Sequence, residues 1–223
     1  WYNASSTITI NAIPNSNFEF KSWTGTGNGS YSGINNQVTI TINSPITEQA
    51  NFIELYSITF TESGLPNATI WYVNTSNGQS YSSSTNTITF NEPNGTYSYT
   101  VATSKNEYAP TQYSGSFVIN GVSVTESITF IPVTYKITFT ESGLSSGTTW
   151  YVTLNGTTKS SSNNTIIFNE PNGSYAYTIQ GISGYRTTTY SGTITINGNP
   201  IDENITWSVI LYPITIAENG IPN

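Results

Sequence analysis

A chain of 223 residues with no Cys, His or Met, a single Asp (Asp202) and a single Arg (Arg186) is short of the groups from which most active sites are made. Its net charge of −7, with five basic residues, argues against nucleic acid, which needs clustered Lys and Arg to displace counterions, and against docking on anionic lipid. No run approaches the roughly 18 apolar residues of a membrane span, and sixteen Tyr, nine Phe and five Trp are too many aromatics for a disordered segment.

In chain order, the first stretch joins Ser6-Thr-Ile-Thr-Ile-Asn-Ala12, Phe18-Glu-Phe-Lys-Ser-Trp23, the glycine-rich Gly27-Asn-Gly-Ser-Tyr-Ser-Gly33, Val38-Thr-Ile-Thr-Ile42 and Ile46-Thr-Glu-Gln-Ala-Asn-Phe52. From Tyr56 onward, short strands are expected about every ten residues: Tyr56 to Thr61, Thr69 to Asn74, Thr87 to Asn91, Thr96 to Ala102, Gly115 to Ile119 and Ser127 to Ile131. Ile58 with Phe60, Ile88 with Phe90, and Tyr97 with Tyr99 and Val101 each share a face, the period of two of a half-buried strand. Asn94-Gly95, Asn120-Gly121, Asn172-Gly173 and Asn197-Gly198 read as tight hairpin turns, because both residue types accept positive φ. No window has helical periodicity with caps. Six or seven antiparallel strands in such a length most economically make a two-sheet sandwich.

The pattern then repeats. Ile58-Thr-Phe-Thr-Glu-Ser-Gly-Leu65 returns as Ile137-Thr-Phe-Thr-Glu-Ser-Gly-Leu144, and a weaker copy spans Ile214 to Ile221. Tyr56 aligns with Tyr135, Trp71 with Trp150, Phe90 with Phe168, Tyr97 with Tyr175 and Tyr113 with Tyr190. The sequence therefore predicts a partial module over 1–54, sandwiches over 55–133 and 134–211, and at 212–223 the first strand of a further repeat. Only Ile131-Pro-Val-Thr134 joins the two complete repeats, so neighbouring modules are expected to touch and bend little, as a stiff rod. The strand at 212–223 either opens another module, folds back on its own, or is donated to a neighbouring chain. Few titratable groups predict a weak dependence of stability on pH.

The Phe20-x-x-Trp23 core, glycine-rich turn and closing Glu48-x-Ala50-x-Phe52 make residues 1–54 resemble the small β-rich repeat of surface proteins typified by the internalin B-repeat. Residues 55–223, with Phe-Thr-Glu-Ser-Gly-Leu, Trp-Tyr-Val and Phe-Asn-Glu-Pro-Asn-Gly, resemble immunoglobulin-like repeats of archaeal extracellular proteins, including those appended to thermopsin-like proteases. The resemblance implies an exported, cell-surface, array-type protein and no catalytic activity.

Nucleophile–His pairs and thiol or imidazole metal sites are impossible here. A single Asp argues against calcium. Two Glu can hydrolyse a glycoside, and Glu62 with Glu92 recurs as Glu141 with Glu170, but both lie in turn contexts that suit a structural role. No catalytic, cofactor or metal site is expected. Asn-x-Ser/Thr sequons at Asn3, Asn28, Asn67, Asn74, Asn94, Asn155, Asn163, Asn172 and Asn204 are candidate glycosylation sites. With 27 Asn in the chain, chance alone gives about eight such sequons, so position is the useful signal. Asn94 and Asn172 occupy equivalent turns and are favoured. Trp71 and Tyr72, like Trp150 and Tyr151, point to opposite strand faces, and an outward ring offers a surface on which sugars stack. Lys136 on a first strand is similar to the buried lysines of self-crosslinked pilin-like domains, though the other repeat has Ser57 there. The sequence thus predicts an extracellular structural subunit of a fibre or stalk, its partners being copies of itself and covalent N-glycans. The alternative is a carbohydrate-binding or adhesion module, or a protease appendage.

Overall fold

The computed structural model describes residues 2–220, and among these every regular element is a strand. The fold is all-β, two sandwiches in tandem behind a small β module. Contacts divide the chain into units of residues 1–131 and 132–223.

In the first module β1 (Ser6–Asn11) pairs antiparallel with β3 (Gln37–Ile42), and β2 (Phe18–Thr26) with β4 (Thr47–Glu54). A bulge between Phe20 and Ser22 adds one residue to β2. Phe20 then lies 5.9 Å from Trp23 and 6.0 Å from Phe52, so the three aromatics of the sequence motif form one cluster. The Glu48 carboxylate accepts the Tyr31 N–H at 2.8 Å and anchors the glycine-rich turn.

The first sandwich has eight strands: β5 (Tyr56–Ser63), β6 (Trp71–Thr75), β7 (Ser80–Ser83), β8 (Thr87–Glu92), β9 (Gly95–Thr103), β10 (Tyr108–Pro110), β11 (Ser114–Ile119) and β12 (Val124–Pro132). They form sheets of order β10-β12-β5-β8 and β11-β9-β6-β7. The second repeats this with β13 (Tyr135–Ser142), β14 (Trp150–Leu154), β15 (Thr157–Ser161), β16 (Thr165–Glu170), β17 (Gly173–Ile179), β18 (Tyr185–Thr187), β19 (Ser191–Ile196) and β20 (Ile201–Val209). Its sheets run β16-β13-β20-β18 and β15-β14-β17-β19. The period-two pattern dictates the layers: Ile58, Phe60, Trp71 and Val73 are completely buried, as are Ile137, Phe139, Trp150, Val152 and Leu154. Each such side chain contributes about 1.5–3 kcal/mol through burial.

Three sequence expectations need correction. Not every pairing is antiparallel, because β5 with β12 and β13 with β20 run parallel. A parallel pair needs a long crossover, which the rest of each module supplies, so local turn signals do not reveal it. The very short strands β7 and β10, with β15 and β18 in the second copy, carry too few apolar residues to announce themselves. Asn94-Gly95, Asn120-Gly121, Asn172-Gly173 and Asn197-Gly198 are not hairpins within a sheet. They link strands of opposite sheets, namely β8 to β9, β11 to β12, β16 to β17 and β19 to β20. A two-residue hairpin is instead built by Asn155-Gly156, with φ of 48° and 76° and Leu154 paired to Thr157, the double positive φ of a type I′ turn.

The segment 212–223, expected as the first strand of a further repeat, stands apart from these. Residues 212–220 form no strand, and Tyr212, Ile214 and Ile216 are 80%, 87% and 90% exposed. Residues 221–223 of that expected strand lie outside the described residues. Each sandwich already holds its own first strand, β5 or β13, so neither leaves a gap that a donated first strand fills.

Candidate functional surfaces

The repeated motifs turn out to build the turns. In Glu62-Ser-Gly-Leu65 the Glu62 carboxylate accepts the Leu65 N–H at 3.4 Å, and Glu141 accepts that of Leu144 at 3.3 Å. Gly64 has φ 97°, and a Cβ there would lie 2.1 Å from the Phe130 carbonyl oxygen; Gly143 meets Trp207 in the same way. Only glycine fits where the first strand is laid so close to the last.

In Glu92-Pro-Asn-Gly95 the Asn94 side-chain oxygen accepts the Gly121 N–H at 2.7 Å, and Asn172 accepts that of Gly198 at 2.8 Å. Four residues after each proline, the Tyr97 and Tyr175 hydroxyls donate to the carbonyls of Pro93 and Pro171, at 3.0 and 2.9 Å. A tyrosine bonding back to upstream backbone locks a sandwich corner. Glu92 is buried and accepts from Asn77 at 2.8 Å and Tyr81 at 3.2 Å, while Glu170 accepts from Asn155 at 3.4 Å. All four recurring glutamates thus serve as turn acceptors.

A further device was not legible in advance. The Tyr99 hydroxyl on β9 donates across the sandwich to Glu126 on β12 at 3.4 Å, and Tyr177 on β17 to Glu203 on β20 at 2.7 Å. Gly115 and Gly192, paired opposite these tyrosines, leave the room: a Cβ at either would crowd the phenol to 2.5 or 2.6 Å. The shared Ser-Gly-Ser/Thr of β11 and β19 was the available signal. Burial first, then the bond to Glu203 and its charge, pushes the Tyr177 phenol up to about 12. Burial, the Glu92 charge and its hydrogen bond push Tyr81 up to about 12 as well.

All nine sequon asparagines are exposed. Asn74 and Asn204 lie within strands β6 and β20, whereas Asn3, Asn28, Asn67, Asn94, Asn155, Asn163 and Asn172 lie in turns and connections. Asn94 and Asn172 hold their backbone caps through the side-chain oxygen, so the amide nitrogen, where a sugar attaches, is not the capping atom. Trp71 and Trp150 are fully buried, and each donates its indole N–H to a backbone carbonyl (Thr85 at 2.7 Å, Asn163 at 2.8 Å). Tyr72 and Tyr151 are half-buried on the outer faces. Lys136 is exposed, paired opposite Asn169, and is therefore not a buried crosslinking lysine.

Among the described residues, the first module holds a mainly apolar groove of about 560 Å³. Ile8, Ile10, Ile40, Ile42 and Ile46 line it, with Glu48 at the side. Among the described residues, no group of three or more His, Cys, Asp or Glu side chains converges to hold a metal, and no helix is long and apolar enough to cross a membrane.

A family model described as a divergent InlB B-repeat domain matches residues 1–54. No curated protein matches the chain. Among solved structures, the TIE protein of Bacillus anthracis is similar at 13% identity and a TM-score of 0.48, over 92% of this chain and 51% of that one. The chain thus spans about half that protein's length. A streptococcal ancillary pilin is similar at 12% identity and a TM-score of 0.33, over 78% of this chain and 79% of that one. The minor pilin GBS52 of Streptococcus agalactiae gives 12% and 0.32, over 73% of this chain and 100% of that one. Two of the three are pilins by name, and the archaeal and thermopsin-like part of the resemblance finds no support among them.

Proposed function

We propose that this chain is a non-catalytic structural segment of the cell exterior, a modular part of an extracellular fibre or surface stalk. In this reading it comprises modules 1–54, 55–133 and 134–211, one after another in sequence. One observation carries the reading: in both sandwiches the same recurring polar groups, Glu62 and Glu141, Glu92 and Glu170, Asn94 and Asn172, are engaged in holding turns. A chain that repeats its chemistry only to repeat its architecture serves a mechanical end. The divergent InlB B-repeat match over 1–54 supports a surface location.

End-to-end joining runs through module interfaces or through 212–223, which becomes the first strand of a further module. N-glycans on Asn94 and Asn172, and then on the other exposed sequons, shield the surface. Electron microscopy of the purified protein tests the assembly: filaments or end-on strings are expected, and separate particles at every concentration would end the fibre version. Glycopeptide mass spectrometry of material from its native cells tests the sugars, since unmodified Asn94 and Asn172 peptides would remove them.

The second reading, a carbohydrate-binding module, rests on Tyr72 and Tyr151. Each is half-buried among outward polar side chains, including Asn74 and Ser82 in one copy and Thr153 and Ser160 in the other. Binding on a glycan array, lost in Tyr72→Ala and Tyr151→Ala, would favour this reading. No binding to any glycan would eliminate it.

A further inference from the structure

We propose that β19 is a self-association edge. Two copies pair their β19 strands antiparallel about a two-fold axis at Thr193 and merge two four-stranded sheets into one of eight. This lateral contact is independent of end-to-end joining.

The inference starts from which edges are guarded. An exposed strand edge is a template for another strand, and proteins blunt it by shortness, Pro, Lys or other charge. In the second sandwich β18 has three residues, one of them Arg186; β15 carries Lys159; and β16 ends in Glu170. β19, Ser191-Gly-Thr-Ile-Thr-Ile196, has six residues and neither charge nor proline. Among the described residues no strand pairs with its outer side.

The backbone register shows what that side presents. Even-numbered residues of β17 and its extension bond toward β14, since Gln180 donates to Tyr151 and Asn155 donates to Ala176. Odd-numbered ones therefore bond toward β19, as when Ile179 donates to Tyr190. With Tyr177 opposite Gly192 and Tyr175 opposite Ile194, the even residues of β19 are engaged inward. Ser191, Thr193 and Thr195 turn their N–H and C=O groups outward. All three side chains are exposed on the solvent face.

The occupant follows from symmetry and charge. With Thr193 opposite its own mate, Ser191 of one copy faces Thr195 of the other, and every outward donor meets an acceptor. Outward β-branched hydroxyl side chains then form cross-strand pairs. The chain carries −7 overall, yet the neighbouring outward positions Ser174, Ala176 and Thr178 on β17 are uncharged too. Two copies therefore meet there without like-charge repulsion. The equivalent edge β11, Ser114-Gly-Ser-Phe-Val-Ile119, is also charge-free but places only Ser and Val outward, a poorer strand-pairing set.

The test uses the full chain, which lacks cysteine. Sedimentation of the unmodified protein should show a concentration-dependent dimer. Thr193→Cys, treated with a short bis-maleimide, should give a covalent dimer, while Asn204→Cys on the exposed face of the other sheet should not. Thr193→Pro removes two hydrogen bonds per dimer, raising the dissociation constant about thirtyfold. Thr193→Lys should also weaken the dimer by setting like charges opposite each other, and circular dichroism should show both variants folded. A monomer at all concentrations, or a dimer indifferent to both Thr193→Pro and Thr193→Lys, overturns the proposal.

Discussion

Gly64 and Gly143 show how a sequence motif acquires meaning from a backbone clearance. Each has φ above 90° and faces a carbonyl oxygen of the last strand, so any side chain strains both the dihedral and the contact. Gly143→Ala should therefore destabilise the second sandwich by about 2–4 kcal/mol, read as a lower midpoint in urea. A change below about 0.5 kcal/mol, the scale of an ordinary surface substitution, would show that the contact with Trp207 relaxes freely. The residue scale was partly legible beforehand. The turn role of the glutamates followed from their neighbours in sequence, but why the third motif position is glycine depended on Phe130 and Trp207, 66 and 64 positions away.

Between elements, the tyrosine–glutamate contacts couple one sheet to the other. Tyr99 to Glu126 and Tyr177 to Glu203 each bridge the sandwich, and the Tyr99 phenol is raised, like that of Tyr177, chiefly by burial. A phenol whose folded pKa lies above the unfolded value of 10.0 contributes stability that is fully present below about pH 10. That contribution disappears as pH rises toward about 12, because the folded state resists ionisation that the unfolded state accepts. Unfolding midpoints measured against pH should stay nearly level through neutrality and fall between those values. Tyr177→Phe should make the fall shallower; an unchanged alkaline limb would show that this phenol is not responsible. The expectation of weak pH dependence thus gains an alkaline boundary that composition alone did not reveal. The strands containing Trp71, Phe60 or Val101 were readable from alternation, whereas β10 and β18, with three residues each, were not.

For the whole molecule, the two buried clusters are self-contained. One uses residues from Ile58 to Phe130 and the other from Ile137 to Trp207. Residues 132–223 expressed alone should fold and melt cooperatively within a few degrees of the corresponding transition in the full chain. Loss of that transition would mean that the second sandwich depends on the first unit. In the first unit, Leu55 donates to the Asn17 carbonyl at 2.8 Å, which ties the residue before β5 back to the small module.

The sequence by itself determined the all-β class, the repeat and the inward faces, because alternation at period two is a local property of the chain. Internal repetition made the second sandwich a check on the first. Tertiary structure decided the parallel pairing of first and last strands, the sheet-to-sheet links at Asn94 and Asn172, and the tyrosine bridges. It also decided which edge remained open at Thr193. Each of these depends on residues far apart in sequence being brought together, and no local pattern encodes which strands become neighbours.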